Sequence, residues 1–69
     1  MAEINVMLNG MYRAVAPGTT IAGLLTQLNL PRQRIAIEYN GSVLPKDDPG
    51  DAALKEGDQL EIVEIVGGG

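Results

Sequence analysis

Ile21-Ala22-Gly23-Leu24-Leu25-Thr26-Gln27-Leu28 is the stretch that decides the fold, because its apolar residues fall at helical spacing. Ile21, Leu24, Leu25 and Leu28 make one stripe along one side of a helix. Thr19 or Thr20 can cap the start by accepting a backbone N–H, and Asn29 and Pro31 stop the helix. Gly23 weakens it by roughly 1 kcal/mol relative to Ala and permits a close crossing over the layer beneath. A lone helix cannot bury its stripe on itself, so the rest of the chain must supply a sheet.

The flanking sequence supplies one. Residues 3–8 alternate, with Ile4, Val6 and Leu8 pointing one way and Glu3, Asn5 and Met7 the other, as in a half-buried strand. Asn9-Gly10 is a two-residue hairpin signal, because both positions tolerate positive φ. Residues 11–16 return as a strand that Pro17-Gly18 ends. Beyond the helix, residues 35–39 form a third strand with Ile35, Ile37 and Tyr39 on one face. Asn40-Gly41 repeats the hairpin signal, and Val43-Leu44 is a short strand ended by Pro45. Residues 46–51 are polar and turn-rich and lead toward a short helical turn at 52–54. Glu56-Gly57-Asp58 is a further turn, and residues 59–66 are the last strand. The order of hairpin, helix, two strands and final strand predicts an α+β fold. One helix crosses one face of a mixed four- to five-stranded sheet whose first and last strands run parallel in the middle, the β-grasp arrangement. Residues 1–66 make the domain and 67–69 a flexible glycine tail. The expected core is Ile4, Val6, Leu24, Leu25, Leu28 and Ile62.

With 69 residues, such a domain has about 3–5 kcal/mol of net stability from its core. The chain contains neither Cys nor His. That excludes disulfides, thiolate nucleophiles, Cys or His metal sites and every Ser–His or Cys–His catalytic arrangement within the chain. No catalytic or metal-binding residues are therefore assigned, and the chain reads as something other than an enzyme. Asp47, Asp48 and Asp51 lack the spacing and the Glu of a calcium loop. The formal net charge of −4 and the absence of a basic cluster argue against nucleic-acid binding and suit a basic protein partner. The first residues lack a basic leader, and no apolar run approaches the ~18 residues of a membrane span. A cytoplasmic location is the expectation.

Two features remain as functional candidates. Gly67, Gly68 and Gly69 carry no side chains and extend roughly 10 Å at ~3.3–3.6 Å per residue. They can thread a channel too narrow for other residues and deliver an ionised α-carboxylate into another protein's active site. Composition alone leaves a second reading, an unstructured chain end. The other candidate is the outer face of the last strand. Leu60 and Ile62 face the core, while Glu61, Val63 and Ile65 face away, just before Val66 and the glycines. Burying Val63 and Ile65 against a partner contributes ~1.5–3 kcal/mol each, so Val63, Ile65 and Val66 are the candidate partner-binding residues.

Asn-Gly-Ser-Val-Leu-Pro-Lys (residues 40–46), Leu-Lys-Glu-Gly-Asp (54–58) and Glu-Ile-Val-Glu-Ile-Val-Gly-Gly-Gly (61–69) resemble the ThiS family of sulfur carriers. So do the opening Leu-Asn-Gly (8–10) and Thr-Thr-Ile-Ala-Gly-Leu-Leu (19–25). The resemblance spans the chain and implies a ubiquitin-like β-grasp acting in thiamine thiazole biosynthesis. It implies that an adenylating enzyme of the ubiquitin-activating (ThiF) type uses ATP and Mg²⁺ to convert the Gly69 carboxylate to an acyl-adenylate. Sulfur from a cysteine desulfurase, directly or by relay, then gives a thiocarboxylate, and a ThiG-type thiazole synthase takes the sulfur. The loop with Pro49-Gly50 has less helical character than in many relatives. Alternatives are a MoaD-type carrier for molybdopterin, a ubiquitin-like modifier of lysines, and a binding module without terminal chemistry. The triple glycine, short chain and lack of Phe favour ThiS over MoaD.

Overall fold

The computed structural model describes residues 2–65. Five strands and one helix follow in the order β1 (Ile4–Leu8), β2 (Met11–Val15), α1 (Ile21–Gln27), β3 (Ile35–Tyr39), β4 (Ser42–Val43) and β5 (Gln59–Glu64). A 3₁₀ turn over Arg32–Arg34 precedes β3. The sheet order is β2-β1-β5-β3-β4. β1 and β5 pair in parallel at the centre, and the other neighbours are antiparallel. This is the mixed β-grasp that the sequence predicts, with five strands from its expected four to five.

Both hairpins close as expected. Asn9 and Gly10 have φ of 50° and 81°, and Asn40 and Gly41 have 50° and 86°. Positive φ at both central positions is the twist-matched two-residue turn that Asn-Gly favours.

Thr20, not Thr19, caps α1, its Oγ1 accepting the Gly23 N–H at 3.0 Å. The helix ends where Asn29 takes φ 57°. The Asn29 N–H then donates to the Thr26 carbonyl and the Leu30 N–H to the Leu25 carbonyl, the paired bonds of a Schellman motif. Ile21, Leu24 and Leu25 are buried, and Leu28 is partly buried.

The core is wider than the sequence reading had it. Val6, Leu24, Leu25 and Ile62 are buried as expected, as are Ile21 of the helix stripe and Leu60 of the last strand, and they are joined by Val15, Ile35, Ile37 and Leu54. Ile4 and Leu28 pack only at its margin.

Three local expectations are corrected. The Leu44 N–H still donates to the Ile37 carbonyl, but β4 itself is Ser42–Val43. A Cβ on Gly23 meets only the Thr20 Oγ1, at 3.3 Å, so Gly23 leaves room for its own cap and not for a close helix–sheet crossing. Residues 52–54 form no helical turn. Ala53 instead bridges Thr20, and the Leu54 N–H donates to the Thr19 carbonyl at 2.8 Å. The Ile21 and Ala22 N–H groups donate to the Ala52 and Gly50 carbonyls. The extended segment thereby satisfies helix-start donors that have no partner within the helix. Gly50 has φ 73°, and a Cβ there would stand 3.1 Å from the Ala22 nitrogen, which is why this passage takes a glycine.

Candidate functional site

The helix covers one side of the sheet and leaves the other open. Cross-strand partners share a face, so the register identifies the open side. It carries Asn5 and Met7 from β1, Tyr12 and Ala14 from β2, Gln59, Glu61 and Val63 from β5, Ala36 and Glu38 from β3, and Val43 from β4. Val43 is 70% exposed, Val63 61% and Ile65 49%. Ala36, Ile37, Glu38, Val43, Glu61 and Val63 line a shallow concavity of about 240 Å³ on this face.

Of the residues singled out from the sequence, Val63 and Ile65 lie exposed at the end of β5. Val66, Gly67, Gly68 and Gly69 lie outside the described residues. The strand leading to them is held on both sides. Toward β3, the ladder runs from Tyr39 opposite Leu60 to Ile35 opposite Glu64. It extends one step further, with the Ile65 N–H donating to the Arg34 carbonyl at 2.7 Å. Toward β1, regular pairing covers only Met7–Gln59 and Leu8–Leu60, because β1 then turns away. There the Asn9 side chain takes over. Its Oδ1 accepts the Ile62 N–H at 2.7 Å and its Nδ2 donates to the Ile62 carbonyl at 3.1 Å.

The other hairpin does the same at the start of β5. The Asn40 Oδ1 accepts the Gln59 N–H at 2.8 Å, and the Asn40 N–H donates to the Gln59 carbonyl at 2.8 Å. Asn40 Nδ2 also donates to Asp58, which is 8% exposed and accepts from the Tyr39 hydroxyl at 2.7 Å and the Lys55 N–H at 2.9 Å. Burial pushes the Asp58 carboxyl up. The Tyr39, Lys55 and Asn40 hydrogen bonds, with the Lys55 charge, outweigh burial and hold it below its ordinary value. The hydrogen bond to Asp58, then burial and the Asp58 charge, raise the Tyr39 phenol. Sequence reasoning took Asn9 and Asn40 as turn formers only. An Asn-Gly pair signals the turn whether or not its carboxamide reaches a third strand.

Among the described residues no group of three or more His, Cys, Asp or Glu could hold a metal ion, and no helix is long and apolar enough to cross a membrane. What the site offers is an exposed, partly apolar face beside a strand whose course is fixed by two neighbours and two asparagines.

The model of the ThiS family matches residues 6–69. A crystal structure of thiamine biosynthesis protein ThiS from Geobacter metallireducens superposes with a TM-score of 0.78 at 29% identity, covering 96% of this chain and all of that one. The sulfur carrier protein ThiS of Escherichia coli is 24% identical over 66 residues, 96% of this chain and 100% of that protein. A thiazole synthase of Magnetococcus marinus is 36% identical over 66 residues, again 96% of this chain. The chain spans only 20% of that synthase's length.

Proposed function

The chain belongs to the ThiS family, and on that premise we propose that it is a sulfur carrier for thiamine biosynthesis, loaded at the carboxylate of Gly69. The family match, which runs through the triple glycine to residue 69, is the observation that carries the reading.

The chemistry is assigned to partners, and this chain supplies the acyl group and its delivery. A carboxylate is a poor electrophile. Its oxygen attacks the α-phosphorus of ATP on an adenylating enzyme of the ubiquitin-activating type. Pyrophosphate leaves, with Mg²⁺ there to neutralise phosphate charge. The terminal sulfur of a protein persulfide, originating from a cysteine desulfurase, then attacks the acyl carbon and expels AMP. A second thiol then attacks the cysteine Sγ of the resulting acyl disulfide, forming a new disulfide with that cysteine, breaking the S–S bond to the transferred sulfur and releasing the thiocarboxylate. Glycines at 67 and 68 let the backbone enter a narrow channel. The fixed course of β5 sets the point from which the arm departs, so less orientational freedom of the domain remains to be lost on docking.

Thiazole synthase is the proposed acceptor of the sulfur. A protein of that name contains a stretch similar to nearly all of this chain, which supports the two acting together. The absence of Cys suits a reducing compartment, and cytoplasmic residence belongs to the same proposal. Intact-mass measurement of the chain isolated from cells making thiamine tests the reading. It should reveal a fraction with one oxygen replaced by sulfur, mapping to Gly69. A chain carrying only carboxylate while its thiazole pathway is active would refute it.

A further inference from the structure

Glu38 and Glu61 are direct cross-strand partners on the open face. The Asn40 N–H donates to the Gln59 carbonyl and the Ile65 N–H to the Arg34 carbonyl. Alternation between those bonds makes Glu38–Glu61 a hydrogen-bonded antiparallel pair, whose Cα atoms stand about 5.5 Å apart. Like charges so placed destabilise a sheet.

None of the chain's five basic residues lies on the strands of this face. Arg13 pairs with buried Val6 and so faces the helix side. Arg32 donates to the Pro45 carbonyl and Lys46 to the Gln33 carbonyl. Lys55 lies at the Asp58 turn. Arg34 precedes Glu38 by four residues, roughly 13 Å along an extended strand. The two carboxylates border the concavity with Val43, Val63 and Ala36, and the chain's net charge is −4.

We propose that this concavity receives an arginine from the docking surface of the activating enzyme, its guanidinium between Glu38 and Glu61 and its stem against Val43 and Val63. The inference deepens the carrier reading and rests on it for the identity of the partner. Charge complementarity selects a cation. The planar guanidinium can donate to two carboxylates at once and is more weakly hydrated than an ammonium, while its methylene stem covers apolar surface. Docking also relieves the repulsion, so this face is kept at a cost to the free domain.

The test pairs stability with binding. Glu38→Gln combined with Glu61→Gln should raise the melting temperature of the free chain and weaken its binding to the cognate activating enzyme by about tenfold or more, read by calorimetry without ATP. Asp47→Asn combined with Asp51→Asn makes the same net-charge change elsewhere and should leave binding within about twofold. Reversal by Glu38→Lys with Glu61→Lys should abolish binding, and exchanging the enzyme's arginine for Glu should restore it. Unchanged binding of the Gln pair, or equal weakening by the Asn pair, overturns the proposal. So does a lowered melting temperature, which would make the carboxylates supports of the fold. Failure of the enzyme to adenylate the wild-type chain would sink the carrier reading on its own, because binding is measured separately from exchange.

Discussion

Asn9 and Ile62 exchange two hydrogen bonds, Ile62 N–H to Oδ1 at 2.7 Å and Nδ2 to the Ile62 carbonyl at 3.1 Å. The carboxamide stands where the next peptide of β1 would have paired, so β5 stays bridged after its parallel neighbour has turned away. Asn9→Gly keeps the positive φ of the turn and removes only the carboxamide. It should cost about 1–3 kcal/mol, because Ile62 loses both backbone partners. Its amide should exchange faster than those of Leu60 or Val63. Thermal unfolding and hydrogen exchange check this, and unaltered protection of Ile62 would mean that the Asn9 bonds do not hold the strand.

The second prediction concerns pH. Asp58 titrates below its unfolded value of about 3.9 because of its hydrogen bonds. Its contribution to stability is therefore complete above that value and is lost as pH falls through the lower folded value. Tyr39 is raised, so its contribution is complete below about 10 and is lost as pH rises through the folded value. Melting temperature should fall at both ends. Asp58→Asn should flatten the acid limb, and Tyr39→Phe the alkaline one. An acid limb as steep in Asp58→Asn as in wild type would assign it to other carboxyls.

Leu25 is 5% exposed within the core, and its carbonyl accepts the Leu30 N–H at the C-terminal end of α1. Leu25→Ala should cost roughly 2–5 kcal/mol. A domain of this size has only about 3–5 kcal/mol of net stability, so the variant should be largely unfolded at physiological temperature. Circular dichroism on heating decides, and a fully cooperative melt near that of wild type would show that the stripe contributes little.

The element order, both Asn-Gly turns and the helix stripe were legible because each is a local signal. Hydrophobic period and positive-φ chemistry are written in adjacent residues. The segment over residues 50–54 was not. Its short apolar run looks helical by itself, and only the unpaired N–H groups of α1 draw it into an extended path beside Thr20. The same holds for the site. Val63 and Ile65 could be placed on an outward face by alternation alone. The opposition of Glu38 and Glu61 depends on β3–β5 register, and the reach of Asn9 to Ile62 on three-strand geometry, neither of which a single strand's sequence states.

Val63 and Ile65, exposed beside the strand end, should serve in docking the activating enzyme. Val63→Asp with Ile65→Asp should leave the fold intact, since neither side chain is in the core. Binding should weaken by more than about tenfold, given ~1.5–3 kcal/mol for burying each residue. Calorimetry on a variant whose melt matches wild type tests this, and unchanged affinity would move the interface elsewhere.

The most direct test of the central claim is ATP–pyrophosphate exchange by the cognate activating enzyme. Wild type is compared with Gly68→Val and with the chain extended by one alanine after Gly69. One added residue shifts the reacting carboxylate by ~3.3–3.6 Å, about the margin between reacting and misplaced atoms. A branched side chain at 68 restricts the backbone and obstructs a narrow channel. Both variants should fold and dock as wild type does, yet exchange poorly. Exchange by the extended chain at the wild-type rate, with intact mass proving that the alanine is still present, would contradict activation at the Gly69 carboxylate.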